Sequence, residues 1–432
     1  MGRRVFVTGY GLVCGNGNSA TEFWNNCSKG ISGLKLIPEW EHMDIGIAGI
    51  VPWQAWSASE IDLMNKERTR RSTMVRKAMW ESLQMSGLEI SNLEEIGIYM
   101  GIDFYAPDEL FLDCVINLYP QGKGEDRWEN FNLGYSVTES VKNIFNKTGS
   151  FDVIRNLNLC THQSGIERVM RHEVKIPGRS RTINNLCVSS AQSIGEAFWS
   201  IQSGDQDVVL AGGLEEYSFI SAFTFSKLGV YVKASSPEFA CIPFDENRKG
   251  TVLGEGAGIL VLESEDSVKR RGGKILAEIL GYGTSNNLYH VTNSPPDGRG
   301  LIRSMQGALK QSQLQESEID LVVAHGTGTY VNDSSEATAI NSVFPSRPPV
   351  HSLKSYVGHT LSAAGVLNVI AGMLEMQNSW LLPTLYLKKP AKNCDLNHIP
   401  QGGMEKKVRN FISNAAGFGG FNASLVLGDG HE

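Results

Sequence analysis

The chain has 432 residues, 41% of them hydrophobic and 20% charged, with a net charge of −7. That composition belongs to a globular protein with a sizeable core, long enough for two or three ordinary units or one large double fold. It argues against broad nucleic-acid binding, and the absence of an apolar run near about 20 residues argues against a membrane span.

The opening "MGRRVFVTGYGLV" reads as a short strand ended by Gly9 and Gly11, and its apolar part is too short and interrupted for a signal peptide. Further β-rich segments ending in small residues are predicted at 96–103, 207–215, 258–264, 275–283, 319–329 and 411–420. Helical spacing is predicted at 74–86, 191–203, 300–313 and 334–342. Strands alternating with helices imply an α/β fold with helix-covered sheets. "VFVTGYG" and "ILAEILGYG" open two stretches of similar outline with no linker between them, which suggests two fused halves, 1–263 and 264–432. The stretch 104–180 is the least periodic and is read as insertions or a partner-facing surface. "KERTRRSTMVRK" at 66–77 is the densest basic run and reads as the solvated face of a helix.

The seven cysteines are scattered without a pairing pattern, which fits a reducing cytoplasm. No C-x-x-C or H-x-x-x-H pair supports zinc, and neither a phosphate loop nor a G-x-S-x-G elbow occurs. "GYGLVCGNG" lacks the spacing of a nucleotide turn, and "VLGEGAG" at 252–258 reads as close backbone packing.

Four junctions carry chemistry. Cys187 in "NNLCVSS" precedes a helix whose N-terminus favours thiolate over thiol. His325 in "VVAHGTGT" stands at the carboxyl end of an apolar strand, where open α/β sheets bind ligands. Lys354 and His359 flank a glycine turn in "LKSYVGHTLSAAG", and "NAAGFGGFN" at 414–422 can bring backbone N–H groups close to a substrate. A thiol, two imidazoles, an ammonium and backbone donors are the components of an acyl-transfer site.

These motifs, with "FDENRKGTVLGEGAGILVLE" and "LYHVTNSPPDGRG", resemble the β-ketoacyl-acyl-carrier-protein synthases of the elongating type, in the thiolase-like superfamily. "YVNDSSEA" and "CDLNHIP" resemble the catalytic ketosynthase subunit of type II polyketide synthases. The resemblance implies a five-layered α/β/α/β/α fold and a decarboxylative Claisen condensation. No bound cofactor is expected, because substrates ride on the phosphopantetheine of an acyl carrier protein. Cys187 would carry the acyl chain, with its own and Phe418's N–H groups as the oxyanion hole and Phe418 as a gate. Thr327 and Thr329 would hold the pantetheine arm, and His325 and His359 would promote decarboxylation. Lys354, with Glu336 nearby, would tune the histidines. A homodimer, or a heterodimer with a homologous chain-length-factor subunit, is implied. The alternative is that the chain is itself the non-catalytic, chain-length-determining subunit. Asn185, Leu186 and Ser190 depart from the family's usual threonine, small residue and glycine around the cysteine.

Overall fold

A computed structural model describes residues 2–37, 45–67, 69–103, 165–234 and 236–430. Most of the stretch read from the sequence as insertions or a partner surface, 104–164, lies outside the described residues.

The first half contributes β1 (Val5–Cys14), β2 (Gly97–Ile102), β3 (Ser180–Ile183), β4 (Val208–Glu215) and β5 (Gly256–Ser264). The second contributes β6 (Ala277–Asn286), β7 (Leu321–Ala324), β8 (Val350–Ser352), β9 (Asn410–Ala416) and β10 (Phe421–Gly428). Their spatial order is β8-β7-β9-β10-β6-β1-β5-β4-β2-β3. In each half the first strand pairs antiparallel with the fifth and the fifth antiparallel with the fourth. The fourth then pairs parallel with the second, and the second parallel with the third. The two halves therefore repeat one topology, and they meet where Val5, Phe6 and Val7 of β1 face Ile279, Glu278 and Ala277 of β6.

The principal helices are α1 (Arg71–Ser86), α2 (Ser189–Gln202), α3 (Phe219–Lys227), α4 (Arg299–Ser312), α5 (Tyr330–Val343) and α6 (Ala364–Asn378). Helix α1 covers β1 and β5 from outside, and α4 covers β6 and β10. Between the sheets lie α2 and α6, packed on each other and on strands of both halves. The layers are α/β/α/β/α, the thiolase-like arrangement. A helix in the middle layer meets apolar surface on both sides, and α6 accordingly has every residue from Ala364 to Met376 buried.

Strand β1 does not end at Gly9 and Gly11 but runs through them to Cys14. A Cβ at Gly9 would stand 2.1 Å from the Ser82 carbonyl oxygen, and one at Gly11 2.1 Å from that of Ala78, so the glycines admit α1 rather than stop the strand. Gly281 and Gly283 do the same for α4, against Ala308 and Ser304 at 2.2 and 2.0 Å. The repeated Gly-Tyr-Gly is thus one packing solution used twice, with Tyr10 and Tyr282 turned into the same inner core.

The basic run at 66–77 is not a solvated face. Arg71 is 1% exposed, and Arg70 donates to Glu255 at 2.8 Å. Arg76 and Lys77 pair with Glu173 and Glu60. The carboxylates that neutralise this run are distant in sequence, which is why periodicity alone misreads it. Among the described residues, no helix is long and apolar enough to cross a membrane.

Candidate active site

Cys187 sits in a one-turn 3-10 helix, Leu186–Val188, that leads into α2. Leu186 has φ +55°, left-handed backbone that costs a residue with a side chain about 1 kcal/mol or more. The turn is tied down by polar residues unusual at this place. Asn185 N–H donates to Ser189 Oγ at 2.9 Å, and its side-chain amide donates to Gln192 Oε1 at 2.5 Å. Gln192 in turn donates to Thr284 Oγ1 of the second half at 3.3 Å. Ser190 Oγ accepts the Val366 N–H at 3.1 Å, satisfying a first-turn donor of α6 that a glycine would leave open.

His325 follows β7 directly, and His359 lies just past Gly358, whose φ of +73° turns the chain after the single turn Lys354–Val357. The "VLGEGAG" segment grips the His359 loop: His359 N–H donates to the Val252 carbonyl at 2.8 Å, and Gly254 N–H to the His359 carbonyl at 2.9 Å. A Cβ on Gly254 would stand 2.1 Å from the Val357 oxygen, so the close packing expected there is present.

These loops bring the sequence candidates together. His359 Nε2 is 3.1 Å from Cys187 Sγ, and the His325 and His359 rings stand edge to face with centroids 5.2 Å apart. The Leu361 N–H donates to His359 Nδ1 at 3.3 Å, which leaves the ring proton on Nε2. Lys354 Nζ lies 3.4 Å from His325 Nδ1 and also donates to the His325 carbonyl, so His325 too is left with its proton on Nε2. Burial and the Lys354 ammonium hold both imidazoles well below the ordinary histidine range. The result is a pair of neutral N–H donors.

Glu336 reaches the same loop from α5, but through the backbone: it accepts the His325 and Gly326 N–H groups at 2.8 and 2.7 Å. Its charge still raises the Lys354 pKa against burial, which lowers it. Sequence reasoning missed Asp333, which accepts the Thr327, Gly328 and Phe244 N–H groups at 3.0, 3.1 and 2.7 Å. The signal was present: Asp333 and Glu336 are three apart on one helix and fully buried. Asn414 was also missed. It links Glu336 at 3.4 Å to Ser424 at 2.8 Å.

Cys187, His325, His359, Thr327, Thr329 and Phe418 line one cavity of about 270 Å³, while Lys354 and Glu336 stand behind it. Arg248 and Lys249 also line it, and no carboxylate does among the described residues. Phe418 stacks on Phe225 of α3 at 5.6 Å. Phe418 opens a second 3-10 turn, and Cys187 stands in the first, so both N–H groups are first-turn donors without intrahelical acceptors. Gly417 brings the two turns together, since a Cβ there would lie 3.5 Å from Cys187 N.

One expectation changes. The helix start suggested a depressed thiol pKa, yet burial pushes Cys187 up to about 12, against the opposing pull of Lys354. The thiol keeps its proton through the neutral range, and the thiolate fraction grows with pH. Alkylation of Cys187 by iodoacetamide should therefore rise about tenfold per pH unit between roughly pH 7 and 9. A plateau below about pH 8 would show a depressed pKa instead.

The comparisons with known proteins agree with this geometry. A family model described as beta-ketoacyl synthase, N-terminal domain, matches residues 2–267, and the C-terminal domain model matches 276–388. The chain belongs to the β-ketoacyl synthase family. It is 30% identical over 437 residues to 3-oxoacyl-[acyl-carrier-protein] synthase 2 of Staphylococcus aureus (strain N315), covering 98% of both chains. Among solved structures, it resembles a type II polyketide synthase acyl-carrier protein in complex with its ketosynthase bound to the hexaketide. That match has a TM-score of 0.82 and 28% identity, with full coverage of both chains. The ishigamide ketosynthase/chain length factor matches with a TM-score of 0.84 and 26% identity, again over both full chains. This chain is a β-ketoacyl synthase, a condensing acyltransferase.

Proposed function

We propose that the chain joins an acyl group held on Cys187 to a two-carbon unit from a malonyl thioester. Both substrates arrive on the pantetheine arm of an acyl carrier protein. The observation that carries this reading is the Cys187 thiol 3.1 Å from a neutral imidazole N–H, with a second such donor beside it and Lys354 behind.

In the first half-reaction Cys187 sulfur attacks the acyl thioester carbonyl. The bond between the acyl carbon and the pantetheine sulfur breaks, and the thiol proton leaves with the pantetheine thiol. The Cys187 and Phe418 N–H groups face the developing oxyanion. Malonyl thioester then enters, with Thr327 and Thr329 along its arm and Phe418 as the gate. Loss of carbon dioxide leaves an enolate whose oxygen takes the Nε2 protons of His325 and His359 as hydrogen-bond donors. Preorganised donors in a water-poor pocket stabilise such charge far better than water does. The enolate carbon attacks the acyl-Cys187 carbonyl, the Cys187 C–S bond breaks, and the sulfur takes up a proton from the medium. No bound cofactor enters this scheme. Lys354 fixes the His325 tautomer, and Glu336 holds the histidine loop.

Lys249 lines a cavity that has no carboxylate among the described residues, which suits an anionic substrate, whereas Arg248 there is already paired with Asp333. The likeness to ketosynthases solved with a carrier protein and with a chain length factor supports a carrier partner and a paired state, as homodimer or heterodimer. Strand β3, last in the sheet among the described residues and with two of its four residues exposed, is the edge a second subunit would extend. A type II polyketide or specialised fatty-acid pathway in the cytoplasm is the setting we propose. The test is direct: acyl-carrier protein and malonyl-carrier protein mixed with the chain should yield carbon dioxide and a 3-oxoacyl-carrier protein in equal amounts. Acyl transfer to an amine or alcohol without decarboxylation would overturn the reading.

A further inference from the structure

Cys187 stands on a seam. On one side is the cavity whose lining includes the polar residues Thr327, Thr329 and Lys249. On the other, Cys187 belongs to an apolar cluster with Tyr217, Ala222, Tyr231 and Leu361, against which Leu186 and Phe225 pack. Neither Leu186 nor Leu361 lines that cavity.

The cluster offers carbon rather than polar atoms. Its two tyrosine hydroxyls are bonded to each other at 3.2 Å, and Tyr231 donates onward to the Ile47 carbonyl at 2.6 Å. An acyl chain on Cys187 that leaves the polar arm behind therefore has this cluster to enter.

Two leucines stand beside the nucleophile turn, and both are held in left-handed backbone. Leu186, immediately before Cys187, has φ +55°, and Leu361, two residues after His359, has φ +39°. Their one-turn helices pack on each other. A glycine would occupy either backbone without strain. Leucine at both positions, flanking the nucleophile and aimed into one cluster, points to side chains retained for what they fill.

We infer that Leu186, backed by Leu361, sets the upper size limit of the acyl group that Cys187 accepts. The inference rests on the reading of Cys187 as the acyl carrier. In a close-packed site a single methylene changes discrimination by tenfold or more, so the side chain beside the sulfur is well placed to set a length limit.

The experiment compares wild type, Leu186→Gly and Leu186→Phe for acylation by N-acetylcysteamine thioesters from acetyl to dodecanoyl, read as mass gain on the intact chain. Leu186→Gly suits the left-handed backbone and should fold. It should raise the decanoyl-to-acetyl rate ratio at least about tenfold. Leu186→Phe should shift the cut-off to shorter chains. A loss of stability cannot produce shifts in opposite directions. Length profiles that coincide in all three proteins, with Cys187 acylated in each, overturn the inference and leave the catalytic reading standing. Absence of acylation of wild type by every thioester overturns both.

Discussion

Cys187→Ala abolishes condensation, a loss of at least about 10⁴-fold, while decarboxylation of malonyl-carrier protein continues. The separation follows from the geometry. Condensation needs the sulfur, because no other nucleophile holds the acyl chain. Loss of carbon dioxide needs only the two imidazole N–H donors, and their tautomers are fixed by Leu361 N–H and Lys354, not by the thiol. The sulfur lies in a buried apolar cluster, so alanine removes little volume and the fold should persist. Carbon dioxide release and 3-oxoacyl product are measured in the same reaction. Undiminished condensation in the variant would place the nucleophile elsewhere.

His325→Ala has the opposite signature. Of the two histidines it is His359 that lies within hydrogen-bond distance of Cys187 Sγ, so acylation should stay within a few-fold of wild type. Decarboxylation and condensation should both fall about 10² to 10³-fold, the usual cost of one donor to a developing oxyanion. Lys354→Met should follow the same pattern more weakly. It removes the contact that fixes the His325 tautomer and the cation that, after burial, helps hold that ring below the ordinary histidine range. Acylation by mass gain and decarboxylation by released carbon dioxide separate the two steps. Equal losses in both steps would mean that His325 only supports the nucleophile turn.

The place of the site was legible in the sequence because its participants sit at strand or helix ends, the two histidines beside glycines. Such junctions are where side chains and backbone donors converge. Cys187 and His325 come from two separate loops and Lys354 and His359 from a third, yet all four reach one centre. What the sequence did not reveal depends on partners far along the chain. Asn185 looks out of place until Gln192 and Thr284 complete its polar chain across the two halves. Ser190 is explained only by the Val366 N–H of the neighbouring middle-layer helix. The left-handed backbone of Leu186 has no sequence signature, since glycine is what such a φ ordinarily announces. The thiol pKa was misjudged for a related reason. A helix start is visible in a sequence, whereas burial among Tyr217, Leu361 and their neighbours is not.

The repeat shows the same limit in the fold. Gly-Tyr-Gly at 9–11 and 281–283 marked two stretches of similar outline, but its shared packing role appears only when an outer helix is seen against each strand. Short strands such as β3 and β8, with four and three residues, carry too little pattern to be found before their neighbours are known.

The central claim is that Cys187 carries the growing chain. The decisive measurement is intact-protein and peptide mass spectrometry of the chain mixed first with acyl-carrier protein and then with malonyl-carrier protein. The account predicts an acyl mass on the peptide containing Cys187 in the first step. In the second step that mass disappears as a 3-oxoacyl-carrier protein forms. A Cys187 peptide that stays unmodified throughout, even with a homologous partner subunit present, would contradict it and leave the chain as a passive, chain-length-determining subunit.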